Sequence, residues 1–271
     1  MSPTLFEAAQ TKYSLTNALF MAEASELAYG DQSDILRTAK DEWGFSKVQF
    51  LESKNTEVFV ATDSQVILCA FRGTESDQVE DWITDARIKL TPGPLGSKCH
   101  RGFKNALNHV WPELRDLLED FQNASQNIWF TGHSLGGALA MLAAASRLDE
   151  EKPVAGLYTF GQPRVGDRGF AIRFDALLGD STFRFVNQQD IVTRVPPRVL
   201  NYKHAGTACY FDSKNKLHLG LTGWRIFLDS LQEEAVTAVT RFYSLADRFP
   251  DWVSDHKMTH YLSKIKKTAG A

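Results

Sequence analysis

The chain has 271 residues, 43% of them hydrophobic, and a formal net charge of −3. That length can bury an α/β core without disulfide or metal staples, and that charge argues against a nucleic-acid partner, which calls for a basic face. No apolar run approaches the ~20 residues that span a bilayer, and Met1-Ser2-Pro3-Thr4-Leu5-Phe6-Glu7 lacks the basic start of a secretory signal, so the expected protein is soluble, cytoplasmic as written, and secreted if the chain is a processed form.

Leu15, Leu19, Ala22 and Leu27 recur at helical spacing, which predicts an opening helix. Strand-like runs follow at Lys47 to Leu51, Glu57 to Ala61 and Gln65 to Phe71. Helix and strand then alternate: helix from about Phe103 to Phe121, strand Asn127 to Thr131, helix to Leu148, strand Val154 to Phe160, helix Arg168 to Leu178, strand Thr182 to Val186. Such alternation predicts an α/β protein, a mostly parallel sheet with helices on both faces and reactive residues at the carboxyl ends of its strands. A helical stretch around Trp224 to Phe249 and a short amphipathic tail complete the chain. No repeat or low-complexity linker divides it, so residues 1–271 are expected to form one domain. Cys69, Cys99 and Cys209 permit at most one disulfide, and Cys69 lies in an apolar run where a buried free thiol is the ordinary outcome. Asn123-Ala124-Ser125 is a glycosylation sequon should the chain be secreted by a eukaryote.

Gly132-His133-Ser134-Leu135-Gly136 has the Gly-x-Ser-x-Gly form that sets a nucleophilic serine on a strained turn between strand and helix. A β-favouring run precedes it and a run of strong helix formers, Ala138 to Ala145, follows. Gly132 and Gly136 then have a steric task, because a side chain at either place would crowd the turn. A serine hydroxyl is a poor nucleophile at neutral pH, so it needs a histidine to take its proton and an acid to orient that histidine. In the chain order serine, acid, histidine, Asp190 is the best acid: it lies just beyond the strand ending at Val186 and the turn Asn187-Gln188-Gln189. Asp167 reads instead as a helix N-cap and Asp180 as part of a turn. Four histidines lie downstream, His204, His218, His256 and His260. The last two are four apart and would share one face of a helix, so spacing leaves both open as the base.

Taken together, the motifs resemble the fungal-type or class 3 lipases. Phe71-Arg72-Gly73-Thr74 looks like that family's oxyanion segment, and His100-Arg101-Gly102-Phe103, the serine motif, Tyr158 to Gly166, Phe185-Val186-Asn187, Asp190-Ile191-Val192 and Val195-Pro196-Pro197 follow in the family's order. The likeness runs from about Val66 to Leu262 and implies the α/β-hydrolase fold. It also implies a triad of Ser134, Asp190 and His256, since the family's base follows an aspartate and precedes a tyrosine, as in Asp255-His256 and Tyr261. The backbone N–H groups of Leu135 and, by resemblance, Thr74 are the expected oxyanion donors, each worth ~3 kcal/mol in the transition state. Arg72 reads as a structural ion-pair former.

Val79, Trp82, Ile83 and Ala86 occupy i, i+3, i+4 and i+7, with Asp77, Glu80, Asp81 and Asp85 around them. The spacing predicts a short amphipathic helix, and the resemblance implies a lid within about 75–98, with Val79, Trp82 and Ile83 meeting substrate. Its acidic face makes strongly anionic interfaces a poor target, and Lys264, Lys266 and Lys267 read as a solvated tail. No metal-binding, Walker or dinucleotide pattern occurs, so no cofactor is expected. The resulting expectation is a carboxylic ester hydrolase, foremost a triacylglycerol lipase working through an acyl-enzyme on lipid or other esters at an oil-water or membrane interface. A phospholipase or galactolipase, a feruloyl-type esterase and a non-catalytic lipase-like module are the alternatives.

Overall fold

Hydrophobic patterning in the first half yields an antiparallel meander, β1 (Lys47–Ser53), β2 (Thr56–Thr62) and β3 (Val66–Phe71), with every residue of β3 buried. The computed structural model describes residues 6–74, 89–122, 126–187, 190–212, 214–220 and 256–270. Within these, β6 (Asn127–His133), β7 (Gly156–Phe160), β9 (Thr182–Asn187) and β11 (Thr207–Phe211) continue the sheet in parallel from β3, and β12 (Leu217–Leu219) closes it antiparallel. The order is β1-β2-β3-β6-β7-β9-β11-β12. Parallel neighbours demand crossovers, and the helices Leu135–Asp149 and Arg168–Leu178 supply two of them.

Two apolar layers sandwich the sheet. One face packs against the helices Leu15–Leu27 and Met258–Ala269 through residues such as Phe20, Trp129, Phe160 and Phe185. The other packs against Arg101–Phe121, Leu135–Asp149 and Arg168–Leu178 through Phe71, Phe130, Leu142 and Phe174. This is the α/β architecture expected from the alternation, and most element ends fall within one or two residues of the sequence reading. Asp167 does cap the helix it precedes, accepting from the N–H of Phe170 at 2.8 Å. His100 caps Arg101–Phe121 in the same way, its Nδ1 accepting from the N–H of Phe103 at 3.2 Å.

The register aligns the carboxyl ends of the strands. Phe71 pairs with Gly132, His133 with Phe160, and Phe160 with Phe185. The segments leaving β3, β6, β7 and β9 therefore all emerge on one edge, which brings together residues far apart in sequence. A second, smaller sheet of β4 (Leu90–Pro92), β5 (Lys98–His100), β8 (Gly166–Asp167) and β10 (Tyr202–Lys203) was not foreseen. Its strands are two or three residues long, too short to show an alternation. At the end of the span 75–98 expected for the lid, Leu90–Pro92 pairs with Lys98–His100. Residues 75–88, with Val79, Trp82 and Ile83, and the stretch Trp224 to Phe249 lie outside the described residues, as does the sequon at 123–125. Cys69, Cys99 and Cys209 are free and buried.

Candidate active site

Ser134 sits between the end of β6 and the helix Leu135–Asp149 at φ 56° and ψ −126°. A non-glycine residue rarely adopts such a conformation, and here packing enforces it. The Ser134 N–H donates to the carbonyl of Phe160 at 2.9 Å, tying the turn to β7. A Cβ on Gly136 would lie 2.3 Å from the Phe71 carbonyl oxygen, so only glycine lets the helix start beneath the segment leaving β3. A Cβ on Gly132 would meet the Gly136 backbone at 2.4 Å, which accounts for both glycines of the motif. Leu135, next to Ser134, opens the helix, so its N–H is among those with no partner inside the helix. Thr74, half-buried, follows Phe71 by three residues and leaves the same sheet edge. Arg72 pairs with Glu57 at 2.9 Å, the structural ion pair expected of it.

Asp190 is completely buried, yet three donors converge on it. Its Oδ1 accepts from the N–H of Val192 at 2.9 Å, and its Oδ2 accepts from His256 Nδ1 at 2.9 Å and from the Tyr261 hydroxyl at 2.5 Å. With Nδ1 donating to a carboxylate, a neutral His256 carries its lone pair on Nε2. That is the tautomer a general base requires. His256 precedes Lys257, the N-cap of the helix Met258–Ala269, so it does not share a helix with His260 as their spacing suggested. Between the two histidines, the structure joins His256 and not His260 to the acid. Gly161, at φ 59°, follows β7; a Cβ there would come 2.9 Å from both Asp190 Oδ2 and the His256 ring.

Ser134 Oγ and His256 Nε2 are both buried, and neither has a hydrogen-bond partner; no bond joins them in this structure. Nucleophile and base often come into full hydrogen-bond contact only when substrate is bound. Around them the site is mostly neutral. The ring of His133 lies 4.5 Å from that of His256, and its Nε2 donates to the His256 carbonyl while its Nδ1 meets the Tyr29 hydroxyl at 2.7 Å. Burial, aided by the neighbouring His256, holds the His133 pKa well below the usual 6.5. With Nε2 acting as donor, neutral His133 accepts the Tyr29 proton at Nδ1.

Three of these residues escaped the sequence reading. His133 filled the variable position of the motif, Tyr29 lay past the first helix, and Tyr261 marked a motif without a stated role. No local sequence signal marked them, because the pairing of Tyr29 with His133, of His133 with His256 and of Tyr261 with Asp190 depends on long-range register. Among the described residues no cluster of three His, Cys, Asp or Glu side chains could hold a metal, and no helix is long and apolar enough to cross a membrane.

A family model for class 3 lipases matches residues 68–200. A triacylglycerol lipase of Arabidopsis thaliana, OBL1, is 33% identical over 248 residues, covering 70% of this chain and 48% of the relative. The secreted mono- and diacylglycerol lipase LIP4 of Malassezia restricta is 30% identical over 219 residues, covering 75% of this chain and 70% of the relative. Among solved structures, a triacylglycerol lipase whose catalytic centre is formed by a serine protease triad superposes with a TM-score of 0.62 at 28% identity, covering 76% of this chain and 84% of that one. The chain spans about half the length of the Arabidopsis relative.

Proposed function

Because this chain belongs to the class 3 lipase family and has the α/β-hydrolase fold, we propose that it is a serine carboxylic ester hydrolase of the triacylglycerol lipase type. The observation that carries this reading is the buried line from Tyr261 through Asp190 to His256 Nδ1, which leaves His256 Nε2 and Ser134 Oγ as the unpartnered atoms. In the proposed reaction Ser134 Oγ attacks the ester carbonyl, His256 Nε2 takes the hydroxyl proton, and the tetrahedral oxyanion is held by the N–H groups of Leu135 and Thr74. Collapse of that intermediate passes the proton from His256 to the leaving alcohol and leaves an acyl-serine. Water then attacks the acyl-serine by the same route, and the carboxylic acid departs. Asp190 orients the imidazole and stabilises the imidazolium, and no cofactor takes part in this scheme.

The deciding experiment replaces the nucleophile. Ser134→Ala is expected to abolish hydrolysis of emulsified triacylglycerol and of short nitrophenyl esters, together with labelling by a serine-directed fluorophosphonate. Equal labelling of wild type and variant would place the nucleophile elsewhere. Substrate class is read from the relatives named above and stays part of the proposal; a panel that adds phospholipid, galactolipid and a feruloyl ester tests it. The lid is likewise proposed, from the family resemblance together with the apolar spacing of Val79, Trp82 and Ile83. Trp82→Ser is expected to weaken action on emulsions more than on dissolved esters, because interface binding draws on apolar contact while the triad is untouched. Equal losses on both forms would remove the lid from the proposal.

A further inference from the structure

The helix Leu15–Leu27 docks on β6 through two hydroxyl contacts that keep step with each other. Ser25 Oγ lies 2.9 Å from Thr131 Oγ1, and the Tyr29 hydroxyl lies 2.7 Å from His133 Nδ1. Four residues advance about 6 Å along a helix and two advance about 6.6 Å along a strand, so both pairs can meet at once. Tyr29 continues that spacing just past the helix end, in a turn closed by its own N–H on the Glu26 carbonyl at 3.1 Å. There its hydroxyl reaches under the segment leaving β3. A Cβ on Gly73 would lie 2.1 Å from that hydroxyl and 2.5 Å from the His133 carbonyl oxygen, so this close approach requires glycine. The Arg72 guanidinium lies 5.9 Å from the centre of the Tyr29 ring.

His133 passes this contact on to His256. Its Nε2 lies 2.5 Å from the His256 carbonyl oxygen, and the two rings are 4.5 Å apart with a 34° tilt. His256 is therefore held twice: Asp190 takes Nδ1 of its ring, and His133 takes its main chain, one residue before the N-cap Lys257. Burial, aided by the neighbouring His256, keeps the His133 pKa well below 6.5, so the ring carries a single proton. A carbonyl only accepts, which puts that proton on Nε2 and makes the Tyr29 hydroxyl the donor to Nδ1. The opposite tautomer would set a lone pair against the carbonyl oxygen and push the His256 main chain away. With both nitrogens engaged, His133 has none to offer the adjacent Ser134.

We propose that Tyr29 and His133 are positioning residues for His256, a role that rests on the reading of Ser134 and His256 as nucleophile and base. The Tyr29 hydroxyl holds the His133 ring in the tautomer and orientation whose Nε2–H binds the His256 carbonyl, and that bond sets the imidazole where it meets Ser134. Neither side chain gains or loses a proton in the reaction. Their effect falls on the fraction of His256 that is correctly placed, and hence on kcat more than on KM. Ser25 has no share in this, because its contact ends at Thr131, whose hydroxyl also has the Met21 and Tyr158 carbonyls at 3.2 and 2.9 Å.

The test is a set of variants assayed on a dissolved short nitrophenyl ester, with Tm and the low-field proton resonance of the Asp190–His256 hydrogen bond read on the same samples. Tyr29→Phe removes one oxygen and keeps the ring. It is expected to lower kcat about tenfold, as loss of a group that orients a metal-bound imidazole does, to change KM by less than about twofold, and to shift or broaden the resonance. His133→Leu removes the donor to His256 and is expected to lower kcat by about 10²-fold. His133→Gln, whose amide can donate in place of Nε2, is expected to recover most of that loss. Without the imidazole the Tyr29 hydroxyl has no Nδ1 to hold, so Y29F is expected to cost little in the H133Q background. Ser25→Ala, which breaks the companion contact on the same helix, is expected to lower Tm and leave kcat and the resonance unchanged. An unchanged kcat in Tyr29→Phe, equal kcat losses in Tyr29→Phe and Ser25→Ala, or full additivity of Y29F and H133Q would overturn the proposal. An inactive wild type would count against the hydrolase reading instead, and the resonance would still report the hold on His256: its persistence unchanged in His133→Leu would overturn the positioning role.

Discussion

One strand serves two regions of opposite character. On one side of β9, Phe183 and Phe185 join the apolar layer, and the segment beyond Asn187 delivers Asp190 to a dry site where the carboxylate is matched by Val192, His256 and Tyr261. On the other side, Arg184 opens onto a cavity ringed by cations. The first region brings its charge to a few fixed bonds, and Ser134 Oγ and His256 Nε2 are among its buried atoms without a hydrogen-bond partner. The second is built on long cationic side chains held by the main chain, with Arg164 donating to the carbonyls of Arg194 and Pro196 and Arg184 to that of Ala205. The difference teaches that burial alone does not mark a reactive site: pairing does, because a buried polar group left without a partner costs about 1–3 kcal/mol and persists only where something else compensates it.

The comparison breaks most sharply at His256. His256→Ala is expected to lower kcat by roughly 10³-fold or more, while His260→Ala changes it far less, since only His256 contacts Asp190. The reverse result would move the base and dissolve the contrast between the two sites. Gly136→Ala comes next, because its Cβ would meet backbone on both Phe71 and Arg72, which cannot swing away as a side chain could. A loss of about 2–4 kcal/mol in urea denaturation is expected, with weaker fluorophosphonate labelling as the turn shifts. Wild-type stability in this variant would mean that the segment leaving β3 has room to yield.

Tyr261→Phe sharpens the comparison by removing one of the three donors to Asp190. The hydroxyl also accepts from the N–H of Asn187 at 3.0 Å, so it joins the end of β9 to the acid. A loss of about 1–3 kcal/mol in stability is expected. A fall in kcat with little change in KM would mark Tyr261 as a positioning residue for Asp190, whereas a change in stability alone would mark it as part of the scaffold. His260→Ala provides the control from the same helix.

Much of the central sheet was legible because hydrophobic periodicity is a local signal: β3 is an unbroken apolar run, and the strand, glycine turn and helix around Ser134 occupy consecutive residues. The choice of Asp190 was legible for the same reason, as it closely follows a strong strand. Spacing could not choose between His256 and His260, because it treats them as sharing a helix, whereas the helix that carries His260 starts at Met258. Tyr29 is 104 residues from His133, and Tyr261 is 71 from Asp190, so no local pattern could pair them. The cationic cavity was hidden for a further reason. Its arginines are spread from Arg164 to Arg198 and form no run, and only the pairing of β9 with β11 beside the helix Arg168–Leu178 brings them together.

The smallest expected effect concerns one histidine from each region. Burial is the main cause that holds both His133 and His204 well below the usual value of 6.5; His133 adds a neighbouring His256, and His204 adds Arg184 and Arg164. In the unfolded chain both return to about 6.5, so below that pH the unfolded state binds protons that the native state refuses. Stability therefore is fully present above about pH 6.5 and falls as the pH drops toward the depressed native values, by at most about 1.4 kcal/mol per pH unit for each histidine. Urea denaturation of wild type, His133→Gln and His204→Gln at a series of pH values from about 7.5 down to about 5 measures the slopes. Each variant is expected to show a shallower acid slope than wild type, whatever its stability at neutral pH. A slope in His204→Gln equal to wild type would mean that the native fold does not hold this imidazole below its ordinary value.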